Sequence, residues 1–287
     1  MIDLHIHSTA SDGSDTPEEI AAKAHALGLG AAAVTDHDNL GGVERFLAAC
    51  RSLGLTGFSG VEVSAQFEDA TIHILGYGVD PTFPELVTQF GTVLGGRDDR
   101  NRRILANLAA LGLPLDPEEV AAFAGSSVVG RPHIARAMVA RGYVASIQEA
   151  FDRYLGAGCA AYSDRVRLPP GESIRLIRAA GGVAVWAHPF LWSEDPRRLD
   201  AAIGTLKELG LSGIEAYYTT HGAEMLVTAL RLARQHGLLV TGGSDYHGAS
   251  TPDIAIGRGF GNLDVPDSLL PPLLEAIPPS DWVVRAS

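Results

Sequence analysis

Short β-branched runs alternate with amphipathic helical stretches along most of this chain, and that alternation limits the fold more than any other feature. A strand–helix–strand series sets successive strands parallel, because the helix carries the chain back across one face of the sheet. Strands are expected over residues 2–6, 31–35, 57–63, 71–77, 182–186, 213–217 and 238–241, and helices over 16–27, 40–53, 196–209 and 223–236. The first helix has clear chemical boundaries. Thr16-Pro17-Glu18-Glu19 is a capping box with proline at the first helical position, and Gly28 stands where a stop is needed. Seven such strands favour an α/β fold closed into a mostly parallel barrel.

Between residues 96 and 165 the alternation stops. Helical patterns at 97–111, 116–123, 131–141 and 147–154 follow one another without a strand. The chain is therefore expected to be a barrel built from residues 1–95 and 166–287, with a small helical insertion over 96–165 that caps the substrate. At 287 residues, 46% hydrophobic and 20% charged, it has the length and composition of an ordinary globular domain of this kind. Cys50 and Cys159 are too sparse for a disulfide scaffold or a zinc ribbon. No apolar run reaches about 18 residues, and Met1-Ile2-Asp3-Leu4-His5 lacks the basic start and apolar stretch of a signal peptide. A cytoplasmic location, away from membranes, is expected. The net charge of −12 argues against a stable nucleic-acid partner, which asks for a basic face. It does not argue against a small phosphorylated substrate, because bound metal ions would invert the local potential.

The histidines and carboxylates fall into a pattern. His5 and His7, two apart on the first strand, point to the same side, and Asp12 follows in the turn before the first helix. The second strand runs into Thr35-Asp36-His37-Asp38 and the third ends in Gly60-Val61-Glu62. The fifth ends in Trp186-Ala187-His188-Pro189 and the seventh in Gly242-Gly243-Ser244-Asp245-Tyr246-His247, where the glycines let the backbone approach closely. His73 alone lies inside its strand. In α/β barrels the C-terminal ends of strands are where catalytic groups gather. Taken singly, a buried histidine is more often a hydrogen-bonded core residue, and an acid at a βα junction is often only a helix cap. Six of the ten histidines, with three carboxylates at one level of the barrel, make a ligand set instead. Imidazole and carboxylate without thiolate suit Zn²⁺, Mn²⁺, Fe²⁺ or Co²⁺ rather than Ca²⁺. Nine donors exceed what one tetrahedral ion takes. Two or three ions sharing a carboxylate such as Glu62 would activate water and stabilise charge in phosphoester or amide hydrolysis.

With these residues in place, the chain resembles the PHP (polymerase and histidinol phosphatase) family. The motifs that carry the resemblance are His5-Ile6-His7-Ser8, Thr35-Asp36-His37-Asp38, Gly60-Val61-Glu62, the segment around His73, Ala187-His188-Pro189 and Ser244-Asp245-Tyr246-His247. They stand in the family's order and span nearly the whole chain. The resemblance implies a distorted seven-stranded β/α barrel and three metal sites. One would use His5, His7, Glu62 and Asp245; a second would share Glu62 and add His73 and His188; the third would use Asp12, His37 and His247. It implies divalent ions, three Mn²⁺ first, with Zn²⁺ or Fe²⁺ also used in the family. The stretch from His5 to Ser14, the run Arg97…Arg100-Asn101-Arg102-Arg103-Ile104, and Gly130-Arg131-Pro132-His133-Ile134-Ala135 resemble one subgroup. It holds 3′,5′-nucleoside bisphosphate phosphatases and related 5′→3′ exoribonucleases and oligoribonucleases. The phosphatase likeness comes first and implies removal of the 3′-phosphate from adenosine 3′,5′-bisphosphate, leaving AMP.

Substrate contacts are expected from Ser8, Asp12, Arg100, Arg102, Arg103, Arg131, His133 and His221, and catalysis from Asp12, His37, Arg131 and His221. Arginines three apart on one helix face, such as Arg100 and Arg103, would form a cationic ledge for a second phosphate. Pairing with Asp98 and Asp99 as a solvated face explains them equally well. Arg131, opening a helix after Gly130, would neutralise phosphoryl oxygens. The leaving oxygen would take its proton from His221, expected at the start of the helix after the sixth strand, or from a metal-held water. His133 fits core packing as well as contact. Phe190, Trp192, Tyr217 and Tyr218 read more simply as packing than as base-stacking residues, and His25 and His236 as structural. Four other readings compete: an exoribonuclease acting on short RNA, a histidinol-phosphate-type monoesterase, a deaminase-type amidohydrolase, and an inactive metal-binding module. Asp36-His37-Asp38 and Ser244-Asp245-Tyr246-His247 fit the amidohydrolase poorly, and the full ligand set weighs against the inactive module.

Overall fold

In the computed structural model, which describes residues 1–124, 129–164 and 167–286, seven strands follow one another in chain order around a nearly closed barrel. They are β1 (Asp3–Ile6), β2 (Ala31–Val34), β3 (Thr56–Phe67), β4 (Ala70–Tyr77), β5 (Val183–Trp186), β6 (Gly213–Tyr218) and β7 (Leu239–Gly243). A parallel bridge between Ile6 and Tyr246 returns the end of the series to its beginning. A two-residue strand, β8 (Val283–Val284), pairs with β3 off this path.

Along the series of seven, neighbouring strands are parallel except around β4, which runs antiparallel to both β3 and β5. The chain reverses from β3 to β4 through Glu68 and Asp69, with Glu68 at φ 51°, so no helix intervenes. Alternation alone does not predict this hairpin. It explains His73, which pairs with Ser64 two residues beyond Glu62. Because β4 is reversed, its beginning lies at the end of the barrel where the parallel strands finish.

Ten α-helices occur among the described residues: α1 (Pro17–Ala26), α2 (Val43–Leu53), α3 (Pro84–Ala110), α4 (Pro117–Ala124), α5 (Arg131–Ala140), α6 (Ile147–Ala150), α7 (Pro170–Ala179), α8 (Pro196–Glu208), α9 (Ala223–His236) and α10 (Leu270–Ala276). The capping box forms as its residue types dictate. Thr16 Oγ1 accepts the Glu19 N–H at 3.2 Å, and Glu19 Oε2 accepts the Thr16 N–H at 2.8 Å. Such a cap contributes about 1 kcal/mol. The alternation misses α7, α10 and the first half of α3, which starts at Pro84 rather than at residue 97. Gly91, Gly95 and Gly96 disguise that half, since each costs roughly 1 kcal/mol in a helix. It is helical because Leu86, Phe90 and Val93, spaced four and three apart, are buried together on one face.

Ile2, Leu4, Phe58, Leu75, Tyr77 and Val185 fill the barrel interior, while Ile6 and Val34 pack outward against Ile20 of α1 and Phe46 and Leu47 of α2. Each such burial contributes about 1.5–3 kcal/mol. Strict alternation would put Leu4 and Ile6 on the same side. The register of β1 against β2 shifts between Asp3 and Ile6, and this extra residue reverses the parity. His5 therefore follows Leu4 into the interior, and His7 follows His5.

The chain divides into two compact units: Met1–Thr88 with Leu168–Ser287, and Gln89–Arg167. The second has its own core, made of Ile104 and Leu108 from α3, Val120 from α4, Ile134 and Met138 from α5, and Leu155. The insertion edge expected at residues 165–166 lies outside the described residues. Among those described, no helix is long and apolar enough to cross a membrane.

Candidate metal centre

β3 carries Glu62 into the middle of the donor cluster, where it is 1% exposed. Its Oε1 lies 2.7 Å from His73 Nδ1, 3.0 Å from His188 Nε2 and 3.5 Å from His5 Nε2. Its Oε2 lies 2.8 Å from His37 Nδ1 and 3.3 Å from His7 Nε2. Asp245 Oδ1 stands 3.1 Å from His7 Nε2, 3.4 Å from His5 Nε2 and 3.6 Å from His247 Nδ1. Asp12 reaches His247 Nε2 at 3.3 Å and His7 Nδ1 at 3.8 Å through Oδ1, and His37 Nε2 at 3.9 Å through Oδ2. All nine expected donors thus meet in one place.

Their atoms form three groups, each gathered within 4.8 Å: His7, Asp12, His37 and His247; His5, His7 and Asp245; and His37, Glu62 and His73. This differs from the sets the resemblance implies: Glu62 is not grouped with His5, His7 and Asp245, and His188 joins none of the three groups. His7 also stands among the Asp12 group, and His37 also reaches Glu62 and His73. Several atoms are buried without a hydrogen-bond partner: His5 Nε2, both ring nitrogens of His7, Asp12 Oδ1, His37 Nδ1 and Glu62 Oε2. Each such atom costs about 1–3 kcal/mol unless something satisfies it. A convergent set of imidazole nitrogens and carboxylate oxygens is what a divalent first-row ion takes. The residues fit metal.

A second layer of polar groups holds these side chains. Buried Asp3 accepts the Ser244 N–H at 2.9 Å, the Ser244 hydroxyl at 2.6 Å and the Gly257 N–H at 2.6 Å, which steadies the loop bearing Asp245. Buried Asp36 accepts the Ser8 N–H at 2.8 Å and the Ser8 and Ser11 hydroxyls at 2.6 and 2.5 Å, which steadies the loop bearing Asp12. The Tyr218 hydroxyl donates to Asp245 Oδ2 at 2.8 Å, leaving Oδ1 to face the histidines. Asp38, His188 and Asp245 have φ of 50°, 30° and 56°. Such non-glycine conformations cost on the order of 1–3 kcal/mol and persist where the surroundings over-determine them. Here the Asp38 N–H is held by Glu62 O at 3.0 Å, that of His188 by Glu215 Oε2 at 2.8 Å, and that of Asp245 by His5 O at 2.9 Å. At Gly243 a Cβ would collide with His5, which is the close approach expected of the glycine pair. Sequence reading overlooked Asp3, which opens β1, and Glu215, which lies inside β6, since neither stands at a strand's C-terminal end.

The expected substrate residues are placed unevenly. The Ser8 hydroxyl is committed to Asp36 as a donor and to the Ala10 N–H, at 3.1 Å, as an acceptor. Arg100 is buried against Asn101 Oδ1, at 2.9 Å from Nη2, whereas Arg102 and Arg103 are exposed, so Arg100 and Arg103 do not form a shared ledge. Arg102 pairs with Asp99, as a solvated face would. Arg103 donates to Ser163 Oγ at 2.8 Å and Asp164 O at 2.9 Å. Arg131 donates to Leu155 O at 3.2 Å and lies over the rings of Phe151 and Tyr162. Buried His133 caps its own helix by accepting the Gly130 N–H at 3.0 Å. His221 precedes α9 by two residues rather than opening it. Its Nδ1 donates to Ala216 O at 2.9 Å, its buried Nε2 has no partner, and its ring rests on Phe190 and Tyr218. Phe190 and Tyr218 are buried, so they pack as expected, and Trp192 is covered by the Arg198 guanidinium.

The PHP domain family matches residues 3–155 of this chain. The chain belongs to that family. It is 33% identical over 269 residues to a 5′-3′ exoribonuclease of Haemophilus influenzae, covering 94% of this chain and 96% of that one. It is 33% identical over 253 residues to a 3′,5′-nucleoside bisphosphate phosphatase of Chromobacterium violaceum, covering 86% and 87%. It is also 33% identical over 254 residues to a phosphoribosyl 1,2-cyclic phosphate 1,2-diphosphodiesterase of Eggerthella lenta, covering 86% and 94%. A Bifidobacterium adolescentis structure described as a metal-dependent phosphoesterase matches with a TM-score of 0.83 at 30% identity, covering 97% and 96%. These names agree on phosphoester chemistry and differ on substrate. The chain is a PHP phosphoesterase.

Charge in this PHP centre is set by mutual proximity. Burial opposes the charged form of each group, but the surrounding histidines outweigh it and hold Glu62, Asp245 and Asp12 well below the usual carboxylate range. Burial likewise opposes a charged His7, yet Asp245 and Glu62 raise it to about 10. A histidine raised in this way stabilises the metal-free fold fully below its ordinary value of 6.5, and that contribution is lost as pH climbs toward 10. Metal takes the unprotonated ring, so its affinity moves the other way. The gap in Tm between manganese-loaded and metal-free protein is therefore expected to widen from about pH 6 to about pH 8. Thermal scans at both ends check this, and a gap that narrows would exclude proton–metal competition at His7.

Proposed function

We propose that this phosphoesterase removes the 3′-phosphate from nucleoside 3′,5′-bisphosphates such as adenosine 3′,5′-bisphosphate, leaving AMP. Three divalent ions, with Mn²⁺ as the working metal, would be held by His5, His7, Asp12, His37, Glu62, His73, His188, Asp245 and His247. The observation that carries this reading is the convergence of those donors with one side accessible. His5, His7 and Glu62 are sealed at 0–1% side-chain exposure, while Asp12 and His73 are 36% and 25% exposed. A phosphoryl group would approach the centre where these donors are exposed. Divalent ions bound there supply Lewis acidity and a nucleophilic water near neutral pH.

The chain's own residues then divide the remaining work. Asp12 is the most exposed of the nine donors at 36%, and His37 Nε2 stands 3.9 Å from it, which would place both beside an incoming phosphoryl group. His221 donates a hydrogen bond from Nδ1–H to the Ala216 carbonyl, and burial lowers its pKa. Near neutral pH its Nε2 is therefore an acceptor, suited to a ribose hydroxyl and not to delivering a proton. The leaving oxygen takes its proton from water. Arg131 and Arg103 are the cations assigned to a second phosphate. Arg131→Ala is expected to raise KM for the bisphosphate about tenfold, the loss of one charge-assisted hydrogen bond, with metal content unchanged.

The assay that tests the reading measures kcat/KM for adenosine 3′,5′-bisphosphate, 5′-phosphorylated oligoribonucleotides and histidinol phosphate. At least about a tenfold preference for the bisphosphate is expected, the equivalent of about 1.4 kcal/mol in the barrier. A preference for oligoribonucleotides would transfer the assignment to exoribonuclease, the reading favoured by the Haemophilus relative matched over 96% of its length.

A further inference from the structure

Glu215 lies outside the nine donors, yet it is fully buried beside them on β6. Its Oε1 lies 3.0 Å from His5 Nδ1, and its Oε2 accepts the backbone N–H of His188 at 2.8 Å. One carboxylate thus touches two residues of the centre, through a ring nitrogen in the first and through the main chain in the second. We propose that Glu215 is a positioning residue for metal: it selects the ligating atom of His5 and holds the left-handed turn that aims His188 at Glu62. The proposal rests on the metal-centre reading above and adds a residue to it.

The argument starts from donor chemistry. Glu215 Oε2 already accepts the His188 N–H, and as an acceptor at Oε1 as well it needs a proton on the ring nitrogen that faces it. His5 is thereby set to the Nδ1–H form, and Nε2 is the nitrogen left for a cation. That Nε2 is the one buried without a hydrogen-bond partner, 3.5 Å from Glu62 and 3.4 Å from Asp245. A metal-binding histidine commonly gives its second N–H to a carboxylate in this manner. At His188 the backbone stands at φ 30° and ψ 59°, a conformation that few side chains adopt unaided. Its N–H, fixed by Glu215, keeps the turn in place and His188 Nε2 at 3.0 Å from Glu62.

Strand geometry explains how Glu215 comes to be there. Along β6, strict alternation would point Glu215 and Tyr218 to opposite faces. Against β7, however, Glu215 pairs with Thr241 and Tyr217 with Gly242, so β6 carries one extra residue between them. This bulge reverses the parity. Glu215 and Tyr218 then both reach the ligands, one at His5 and the other at Asp245.

Glu215→Gln is the discriminating change. A carboxamide has one accepting oxygen and one donating nitrogen, so it cannot accept from both His5 Nδ1–H and the His188 N–H. Equilibrium titration with Mn²⁺ is expected to show affinity reduced by about 10- to 100-fold for at least one ion. Circular dichroism provides the folding control. Nitrogen NMR of histidine-labelled, zinc-loaded wild type supplies a second readout that needs no variant and no activity. It is expected to show His5 protonated at Nδ1 and coordinated through Nε2. The opposite assignment overturns the proposal even if Glu215→Gln does not fold. Equal loading of wild type and Glu215→Gln overturns the role of Glu215 and leaves the metal centre standing. Wild type that takes up neither ion overturns both.

Discussion

Replacing Glu62 by glutamine is expected to lower turnover by about 10³-fold or more while the chain stays folded. Both halves of this expectation follow from where the residue sits. The main chain of Glu62 is fixed independently of its carboxylate, since it pairs with Leu75 across the β3–β4 hairpin, takes an N–H from Asp38 and donates to Asp36 O. The carboxylate itself is the group within 3.5 Å of His5, His7, His37, His73 and His188. Glutamine keeps the shape, removes the negative charge and turns one acceptor into a donor aimed at imidazoles that must remain free for cations. Metal content by atomic emission should fall together with phosphate release. Full metal content and activity within tenfold of wild type would refute Glu62 as the shared ligand.

Removing the divalent ions should abolish phosphate release without unfolding the chain. The loss is expected to reach about 10⁴-fold, because the activated water and the charge stabilisation of a phosphoryl displacement depart together. The fold is expected to survive because protons take over the role of the cations. With carboxylates close by, His5 rises well above its usual range despite its burial, and His7 to about 10. The metal-free cluster is therefore partly neutralised by imidazolium instead of being left as a bare cage of anions. Chelation followed by readdition of Mn²⁺, monitored by activity and by Tm, checks both parts. Residual activity above about one-tenth after complete chelation would rule out metal-supplied catalysis. Unfolding on chelation would show that protons do not replace the cations.

That these nine histidines and carboxylates would gather, and at which end of the barrel, was legible in the primary structure. Ligand chemistry is a property of side-chain type, and strand ends are marked locally by β-branched runs, caps and glycines. His5 and His7 two apart, Thr35-Asp36-His37-Asp38 after a strand and Ser244-Asp245-Tyr246-His247 after another carry that information within a few residues each. Which donors share a neighbourhood was decided only in three dimensions. The reversal at Glu68 brought His73 level with Glu62, the bulge in β1 turned His5 inward, and the bulge in β6 put Tyr218 on the face of Glu215, both against the period-two rule. The turns at His188 and Asp245 depend on hydrogen bonds to residues far away in the chain. Register and parity arise from pairing between distant strands, and one extra residue in either partner exchanges the faces. No local pattern of residues encodes that exchange, and for this reason Asp3 and Glu215 became visible only in the folded molecule.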